Sequence, residues 1–259
     1  MTRPLLGVVH LLPLPSSAGH RGMDEVLARA VDDAQAYAAG GFDGVFVENF
    51  GDAPFHKGTS DDPVPPDVPA ALAVVASRVA EATGLRVGIN CLRNDGIAAL
   101  GVAAVVGASW VRVNVLAGAY LTDQGVIEGE AARLAAWRKR LGCRVSLLAD
   151  FLVKHASPLA PIDVVAGARD LAERSGADGI VLSGARTGSA VDEQLVEQVR
   201  GAVGAFPIWL GSGLSVDNAA RLWPRCDGAI VGTSCKRDGR VREPVHVARV
   251  RALRGLCRP

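Results

Sequence analysis

The sequence predicts a single α/β domain, a (β/α)8 TIM barrel that occupies residues 1–259. Three observations predict it. Short apolar runs rich in β-branched residues occur eight times, apolar residues between these runs recur at about the helical period, and no Pro- or Ser-rich linker divides the chain. Strands that alternate with helices favour a parallel sheet, and a count of eight favours closure into a barrel.

The apolar runs are predicted to be strands because they are short and bounded by turn residues. They cover residues 6–12, 44–48, 86–90, 110–115, 144–150, 179–183, 208–211 and 228–232. Stripes at helical spacing predict the helices between them, and examples are Val26/Leu27/Ala30/Val31/Ala34/Tyr37, Leu72/Val75/Val79, Leu134/Trp137/Leu141 and Val216/Ala219/Ala220/Trp223. Pro224 should end the last of these, because proline does not continue a helix.

An Asp-Gly pair precedes three of the predicted strands, at Asp43, Asp178 and Asp227. Asp and Gly suit tight turns, and the active sites of barrels follow strands instead of preceding them. We therefore interpret these three aspartates as structural.

The composition excludes several classes of protein. With 49% apolar and 21% charged residues, the chain is globular and not disordered. A net charge of +1 gives no field that would attract nucleic acid or an anionic membrane. Five cysteines without a CxxC pair predict reduced thiols and a cytoplasmic protein. The longest uncharged stretch, residues 96–111, is too short to span a bilayer.

Polar side chains stand at the predicted C-terminal strand ends, where barrel enzymes carry their active sites. Branched apolar side chains usually fill a barrel, so polar groups there must pair with one another or bind a ligand. The alternative is a satisfied polar layer that only closes the barrel. The residues are His10, Glu48 with Asn49, Asn90, Arg112, Asn114, Asp150 and Ser183.

Two glycine-containing loops follow the seventh and eighth strands, where many such barrels hold a phosphate. Small residues let backbone N–H groups approach an anion, and a helix capped by Ser215 would add a favourable dipole. The alternative is that these glycines only make tight turns. The predicted phosphate-binding residues are Gly211, Ser212, Gly213, Gly232, Thr233 and Ser234.

Glu48, Asp150 and Lys154 are the predicted catalytic residues. The carboxylates would exchange protons, and Lys154 would stabilise developing negative charge. A nearby cation favours ionised Asp150, which leaves Glu48 as the better acid. The alternative is that one carboxylate only binds a sugar hydroxyl. Substrate binding is assigned to His10, Asn90, Arg112, Asn114, His155, Ser183 and Thr187.

No cofactor is predicted to be required. His10, Glu48, Asp150 and His155 could supply metal ligands, but no compact ligand motif such as HExxH is present, so a divalent metal is possible without being predicted.

The long connection after the second strand, from residue 51 to about residue 67, is either a lid or an ordered surface or oligomer-contact loop.

Motifs across almost the whole chain resemble the BtpA/SgcQ family. They are GVVHLLPLP at residues 7–15, VENFGDAPF at 47–55, GINCLRND at 88–95, RVN at 112–114, TDQGVIEG at 122–129, AD at 149–150, KHA at 154–156, GSG at 211–213 and VGT at 231–233. The resemblance implies a barrel of the ribulose-phosphate-binding type. It also implies a family whose founding member is associated with photosystem I biogenesis and whose relatives look like enzymes of sugar or nucleoside metabolism.

We expect an enzyme that acts on a phosphorylated sugar or a ribosyl or nucleoside phosphate by acid–base chemistry, as an isomerase, epimerase, lyase or glycosidic-bond enzyme. The alternative is a non-catalytic accessory factor of the photosystem I biogenesis type, which should expose a large apolar patch. The expected partner is a small phosphorylated metabolite, and we expect a homo-oligomer from a bacterium, with no nucleic acid bound and no membrane insertion.

Overall fold

The computed structural model describes residues 3–184 and 189–258, and its strands confirm the predicted barrel. The strands are β1 (Leu5–His10), β2 (Gly44–Glu48), β3 (Arg86–Asn90), β4 (Trp110–Val113), β5 (Ala119–Thr122), β6 (Gly125–Glu128), β7 (Ser146–Phe151), β8 (Ala156–Pro158), β9 (Gly179–Leu182), β10 (Ile208–Leu210) and β11 (Gly228–Val231). Eight of them close a parallel barrel in the order β1-β2-β3-β4-β7-β9-β10-β11.

Helices cover the outside of the barrel. They are α1 (Met23–Ala39), α2 (Asp67–Thr83), α3 (Gly96–Val106), α4 (Ala131–Leu141), α5 (Val164–Arg174), α6 (Glu193–Val203), α7 (Ala219–Leu222) and α8 (Val247–Leu256). Asp95 begins α3 by accepting a hydrogen bond from the Ala98 N–H. Gly84 and Gly107 end α2 and α3 with positive φ, a conformation that glycine adopts without strain.

Two predicted boundaries are wrong in ways that affect the site. The fourth strand ends at Val113 instead of residue 115, because the Val115 N–H donates to Asn94 Oδ1 at 2.7 Å and leaves the sheet. The helix expected from Val216 is only the four residues of α7, followed by a 3-10 turn at Trp223–Arg225 that contains Pro224.

A small antiparallel sheet, in the order β6-β5-β8, was not predicted. The hairpin β5–β6 follows barrel strand β4, and β8 follows barrel strand β7. Val115, Tyr120, Ile127 and Val153 form its own apolar cluster. Strands of three or four residues are too short for a hydrophobic period to reveal, which is why the sequence did not predict them.

An apolar layer fills the barrel below its C-terminal end. It consists of Leu6, Val8, Phe46, Trp110, Leu148, Val181, Trp209 and Ile230, with the two tryptophan rings 6.4 Å apart. Large rings fit because glycine faces them: a Cβ at Gly88 would lie 2.7 Å from the Phe46 ring, and one at Gly228 would lie 2.6 Å from Trp209. This layer is the rigid base on which the polar residues above it rest.

The three aspartates of the Asp-Gly turns are structural, as predicted. Each carboxylate accepts a hydrogen bond from a backbone N–H near the start of a neighbouring strand, at 2.8 Å from Asp43 to Leu5, 2.7 Å from Asp178 to Leu147 and 2.9 Å from Asp227 to Ile208. They therefore fix the register of the barrel at the end opposite its C-terminal mouth.

Candidate functional site

A cavity of about 670 Å³ opens at the C-terminal end of the barrel. Most of the predicted site residues line it: His10, Glu48, Asn90, Arg112, Asn114, Lys154, His155, Gly211, Ser212, Gly213, Gly232, Thr233 and Ser234. Asp150 and Ser183 are not among the lining residues, and Thr187 lies outside the described residues. The strand ends thus bring together side chains from almost the whole length of the chain.

Asp150 forms a buried ion pair with Arg112. The Arg112 Nε and Nη2 atoms donate to the two carboxylate oxygens at 2.9 and 3.0 Å, and Asn114 Nδ2 donates to Oδ2 at 2.6 Å. Burial alone would lower the pKa of Arg112, but the charge and hydrogen bonds of Asp150, together with the charge of Glu48, offset burial, so the pKa is raised. The placement conflicts with the acid–base role predicted for Asp150, because its oxygens serve Arg112 and Asn114 instead of the cavity.

Glu48 lines the cavity with one carboxylate oxygen held by a hydrogen bond and the other without a hydrogen-bond partner among the described residues. Asn90 Nδ2 donates to Oε2 at 2.6 Å, while Oε1 lies 4.0 Å from His10 Nε2, beyond hydrogen-bond reach. Burial, reinforced by the charge of Lys236, lowers the pKa of His10 well below its ordinary value. His10 is therefore neutral and forms no ion pair that would tie up Glu48.

Lys154 presents the cation of the site. Burial, together with the charge of Arg112, lowers the pKa of Lys154 to about 8 against the opposing effects of Asp150 and Glu48. Within residues 3–184 and 189–258, no carboxylate lies within ion-pair distance of its amine. An ammonium group without a close carboxylate is suited to a negative charge on a ligand.

The two predicted phosphate loops lie on the cavity with several free donors. In the described part of the chain, the backbone N–H groups of Ser212, Gly213, Thr233 and Ser234 donate no hydrogen bond to protein. Arg242, on the segment after β11, lines the same cavity. The loops therefore offer N–H groups and a nearby cation for an anion.

Three details of these loops differ from the prediction. The Gly211 N–H donates to Leu182 O at 2.7 Å, so it serves the sheet. The Ser234 hydroxyl donates to Leu214 O at 2.7 Å. Ser215 does not cap a helix: Asn218 takes that place before α7, which at four residues is too short to provide a substantial dipole.

Among the described residues, four buried polar atoms near the cavity find no partner: His10 Nδ1, Asn114 Oδ1, Ser183 Oγ and Ser212 Oγ. One of them lies beside Gly211, where an added Cβ would lie 2.7 Å from Ser183 Oγ and 3.0 Å from Arg112 Nη2. Buried polar groups without partners are costly to a fold, so their concentration here is typical of a ligand site.

The cavity lining includes residues that sequence reasoning missed, among them Phe50, Phe55, Arg93 and Asp123. Arg93 lies in a quoted motif just after β3, and that position was a signal for it. Phe50 and Phe55 belong to the long loop after β2, so that loop forms part of the cavity wall. Asp123 lies at the tip of the unpredicted β5–β6 hairpin; it also belongs to the quoted motif at residues 122–129, but nothing in the sequence placed that hairpin at the cavity.

Within residues 3–184 and 189–258, no group of three or more His, Cys, Asp and Glu side chains is arranged to hold a metal ion. No helix in these ranges is long and apolar enough to cross a membrane. The five cysteines are all free.

Solved structures of similar fold are barrel enzymes. Tryptophan synthase from Mycobacterium tuberculosis superposes with a TM-score of 0.65 at 16% identity, covering 100% of this chain and 93% of that chain. N-(5'-phosphoribosyl)anthranilate isomerase from Pyrococcus furiosus superposes with a TM-score of 0.57 at 12% identity, covering 98% of each chain. Identities this low show the fold alone.

Relatives by sequence cover nearly the whole chain. The photosystem I biogenesis protein BtpA of Synechocystis sp. is 45% identical over 251 residues, which is 96% of this chain and 86% of that protein. An uncharacterized protein of Pyrococcus abyssi, PYRAB10620, is 42% identical over 98% of both chains. Because relatives occur in bacteria and archaea, similarity does not confirm the expected bacterial source. A sequence model of the BtpA family matches residues 1–257, and the chain belongs to that family.

Proposed function

We propose that the protein is an enzyme that moves protons on a phosphorylated sugar or ribosyl phosphate bound in the barrel mouth. One observation carries the proposal: a single cavity joins Glu48 and Lys154 to two loops whose N–H groups are available to an anion. A phosphate at the loops would hold the sugar with its carbons over the carboxylate and the amine.

The phosphate would bind to the N–H groups of Ser212, Gly213, Thr233 and Ser234. Backbone donors around a small concave loop stabilise phosphate oxygens, and Arg242 adds positive charge to the same cavity. The Gly211 N–H serves the sheet, and Gly232 contributes space. A Cβ at Gly232 would lie 2.5 Å from His10 Cε1, so only glycine leaves room for that ring.

Glu48 is the proposed proton-transfer group. Asn90 fixes its Oε2, which leaves Oε1 to take a proton from the ligand and return it. Neutral His10 is a substrate-binding group beside it, able to donate or accept one hydrogen bond through its unpartnered Nδ1.

Lys154 is the proposed electrostatic partner of Glu48. With a pKa of about 8 its amine is about 90% protonated at neutral pH, so it can stabilise an oxyanion that forms when Glu48 removes a proton. It could also return a proton to that oxygen, because a pKa near the working pH suits proton transfer. A proton-transfer carboxylate, Glu48, and a cation that stabilises an oxyanion, Lys154, suit isomerase, epimerase, lyase or glycosidic-bond chemistry.

Asp150 is proposed as a positioning residue. By pairing with Arg112 and orienting Asn114, it directs the unpartnered Asn114 Oδ1 and the spare Arg112 N–H groups toward ligand hydroxyls. His155, on the rim, and Ser183, under Gly211, are proposed to assist binding. We also propose that the enzyme needs no metal, self-associates and resides in the cytoplasm.

The test is turnover of a panel of pentose and ribosyl phosphates followed by 1H and 31P NMR in D2O, which detects isomerisation, epimerisation, cleavage and hydrolysis alike. We expect one member to be converted, and Glu48→Gln to lower kcat by about 10²-fold or more. The matched control is Glu81→Gln, on the exposed face of α2. Asn49→Gln would not serve, because Asn49 hydrogen-bonds to Leu92 and Asp52. Conversion that survives Glu48→Gln would refute the assignment.

The accessory-factor alternative gains no specific support from the surface. In the described ranges, the exposed large apolar side chains are Val74, Val105, Leu121, Val126, Leu159, Val165, Val216 and Leu256. They are spread over several elements, although Leu121 and Val126 are directly opposite each other in the β5–β6 hairpin. Single exposed apolar residues are normal on a protein surface.

A further inference from the structure

We propose that the cavity contains a subsite for a planar heteroaromatic ring, formed by Phe50 and Phe55 with Arg93 and Asp123 at its edge. The inference rests on the proposed function and names its substrate class. The ligand would be a ribosyl phosphate that carries a ring on its anomeric carbon, instead of a bare pentose phosphate.

The two phenylalanines are the first reason. The chain has six phenylalanines. Phe42, Phe46, Phe151 and Phe206 pack in or against the apolar core. Phe50 and Phe55 join none of the core clusters of the described residues, are only half-buried, and line the cavity. Their hydrophobic surface is left to water unless a ligand covers it, and a flat ring covers a phenyl face well.

The position of this wall is the second reason. Phe50 packs edge-on against His10 with ring centroids 4.8 Å apart, and His10 Nε2 lies 4.0 Å from Glu48 Oε1. Gly232 of the phosphate loops lies against the same imidazole. His10 therefore touches both subsites and the reactive carboxylate. A sugar that spans them would have its phosphate at one end and its anomeric substituent at the other.

The polar groups at the wall are the third reason, because they favour a heteroaromatic ring over a plain phenyl ring. Arg93 is buried, and its Nη2 donates to the Lys154 carbonyl at 2.6 Å, which leaves other guanidinium N–H groups for the cavity. Asp123, at the hairpin tip, offers carboxylate acceptors to the same space. A donor beside an acceptor complements the edge of a nitrogen-containing ring.

The size of the cavity agrees with a ligand of this class. A volume of about 670 Å³ lies in the middle of the range for sites that enclose drug-sized molecules. A pentose phosphate alone would leave the Phe50–Phe55 wall uncovered.

The test measures Kd by isothermal titration calorimetry for ribose 5-phosphate, uridine 5'-monophosphate and adenosine 5'-monophosphate. We expect at least one nucleotide to bind about 10-fold more tightly than ribose 5-phosphate, because stacking on aromatic side chains adds affinity for a base. Phe55→Ala should remove this preference while the affinity for ribose 5-phosphate changes by less than about 2-fold. Phe55→Tyr keeps the ring and should keep the preference.

The outcomes separate the two proposals. Nucleotides that bind no more tightly than ribose 5-phosphate would overturn the ring subsite and leave the proposed function standing. A preference that persists in Phe55→Ala, or an equal loss for all three ligands, would also overturn it. If none of the three phosphates binds, the phosphate site of the proposed function fails, and the ring subsite fails with it.

Discussion

Replacing Asp150 with asparagine tests the buried ion pair that organises the floor of the site. The Arg112 side chain is 5% exposed, and its guanidinium donates two hydrogen bonds to the Asp150 carboxylate, at 2.9 and 3.0 Å. Asparagine keeps the shape but removes the negative charge and turns one acceptor into a donor. That donor would face either Arg112 or the Asn114 amide, both of which donate in the native protein.

The expected cost follows from leaving Arg112 buried without a counter-charge. Removing one partner of a buried pair costs about 3–5 kcal/mol. At roughly 2–4 °C per kcal/mol for a domain of this size, the melting temperature should fall by about 6–20 °C.

The assay is chemical denaturation of wild type, Asp150→Asn and a matched surface variant, Glu81→Gln. Glu81 pairs with Arg78 at 3.5 Å with both side chains more than 60% exposed, so its loss should cost less than about 1 kcal/mol. If Asp150→Asn is no more destabilising than Glu81→Gln, the ion pair does not hold the floor of the site, and the positioning role falls with it.

Three further predictions concern protonation and packing. The proposed role of Lys154 requires its cation, whose pKa is about 8, so kcat/KM should fall as pH rises through about 8, and Lys154→Arg should move that fall to higher pH; a profile that is flat to about pH 10 would contradict this role. Because burial holds the pKa of His10 well below the unfolded value near 6.5, the unfolded chain takes up the proton first and stability is lost as pH falls below about 6.5. When the pH is lowered from about 7.5 to about 5.5, the free energy of unfolding measured in urea should fall by about 1.4 kcal/mol more in wild type than in His10→Gln. Equal decreases in the two proteins would count against a neutral imidazole. Gly211→Ala should cost about 1–3 kcal/mol in thermal unfolding, because its Cβ would crowd Val181 Cγ1 and, at 2.7 Å, Ser183 Oγ. Gly201→Ala in α6, with open space around it, should be neutral or stabilising, and similar effects of the two changes would refute the crowding.

The fold could be predicted because its signals are local. Each barrel strand is a short apolar run, and Asp43, Asp178 and Asp227 mark turns whose hydrogen bonds join neighbouring strands. The candidate site could be predicted in outline for the same reason, since the ends of parallel strands converge at one mouth.

The partners within the site could not be predicted, because they depend on side-chain distances across the barrel. Asp150 and Lys154 are close in sequence, which suggested that Lys154 was the cation paired with Asp150. The barrel instead places β4 beside β7, so the Arg112 guanidinium donates hydrogen bonds to both carboxylate oxygens of Asp150. Phe55 was missed for a related reason: in a chain with 5% aromatic residues, nothing in the sequence distinguishes a ring in a wall from a ring in the core.

The central claim is that one cavity holds a phosphosugar between the phosphate loops and Glu48. A crystal structure of the protein soaked with ribose 5-phosphate tests it most directly. We predict density for the phosphate within hydrogen-bond distance of the N–H groups of Ser212, Gly213, Thr233 and Ser234, with a sugar carbon or hydroxyl facing Glu48 Oε1. A phosphosugar that binds elsewhere, or loops that stay closed by their own side chains with no ligand in the cavity, would contradict the account.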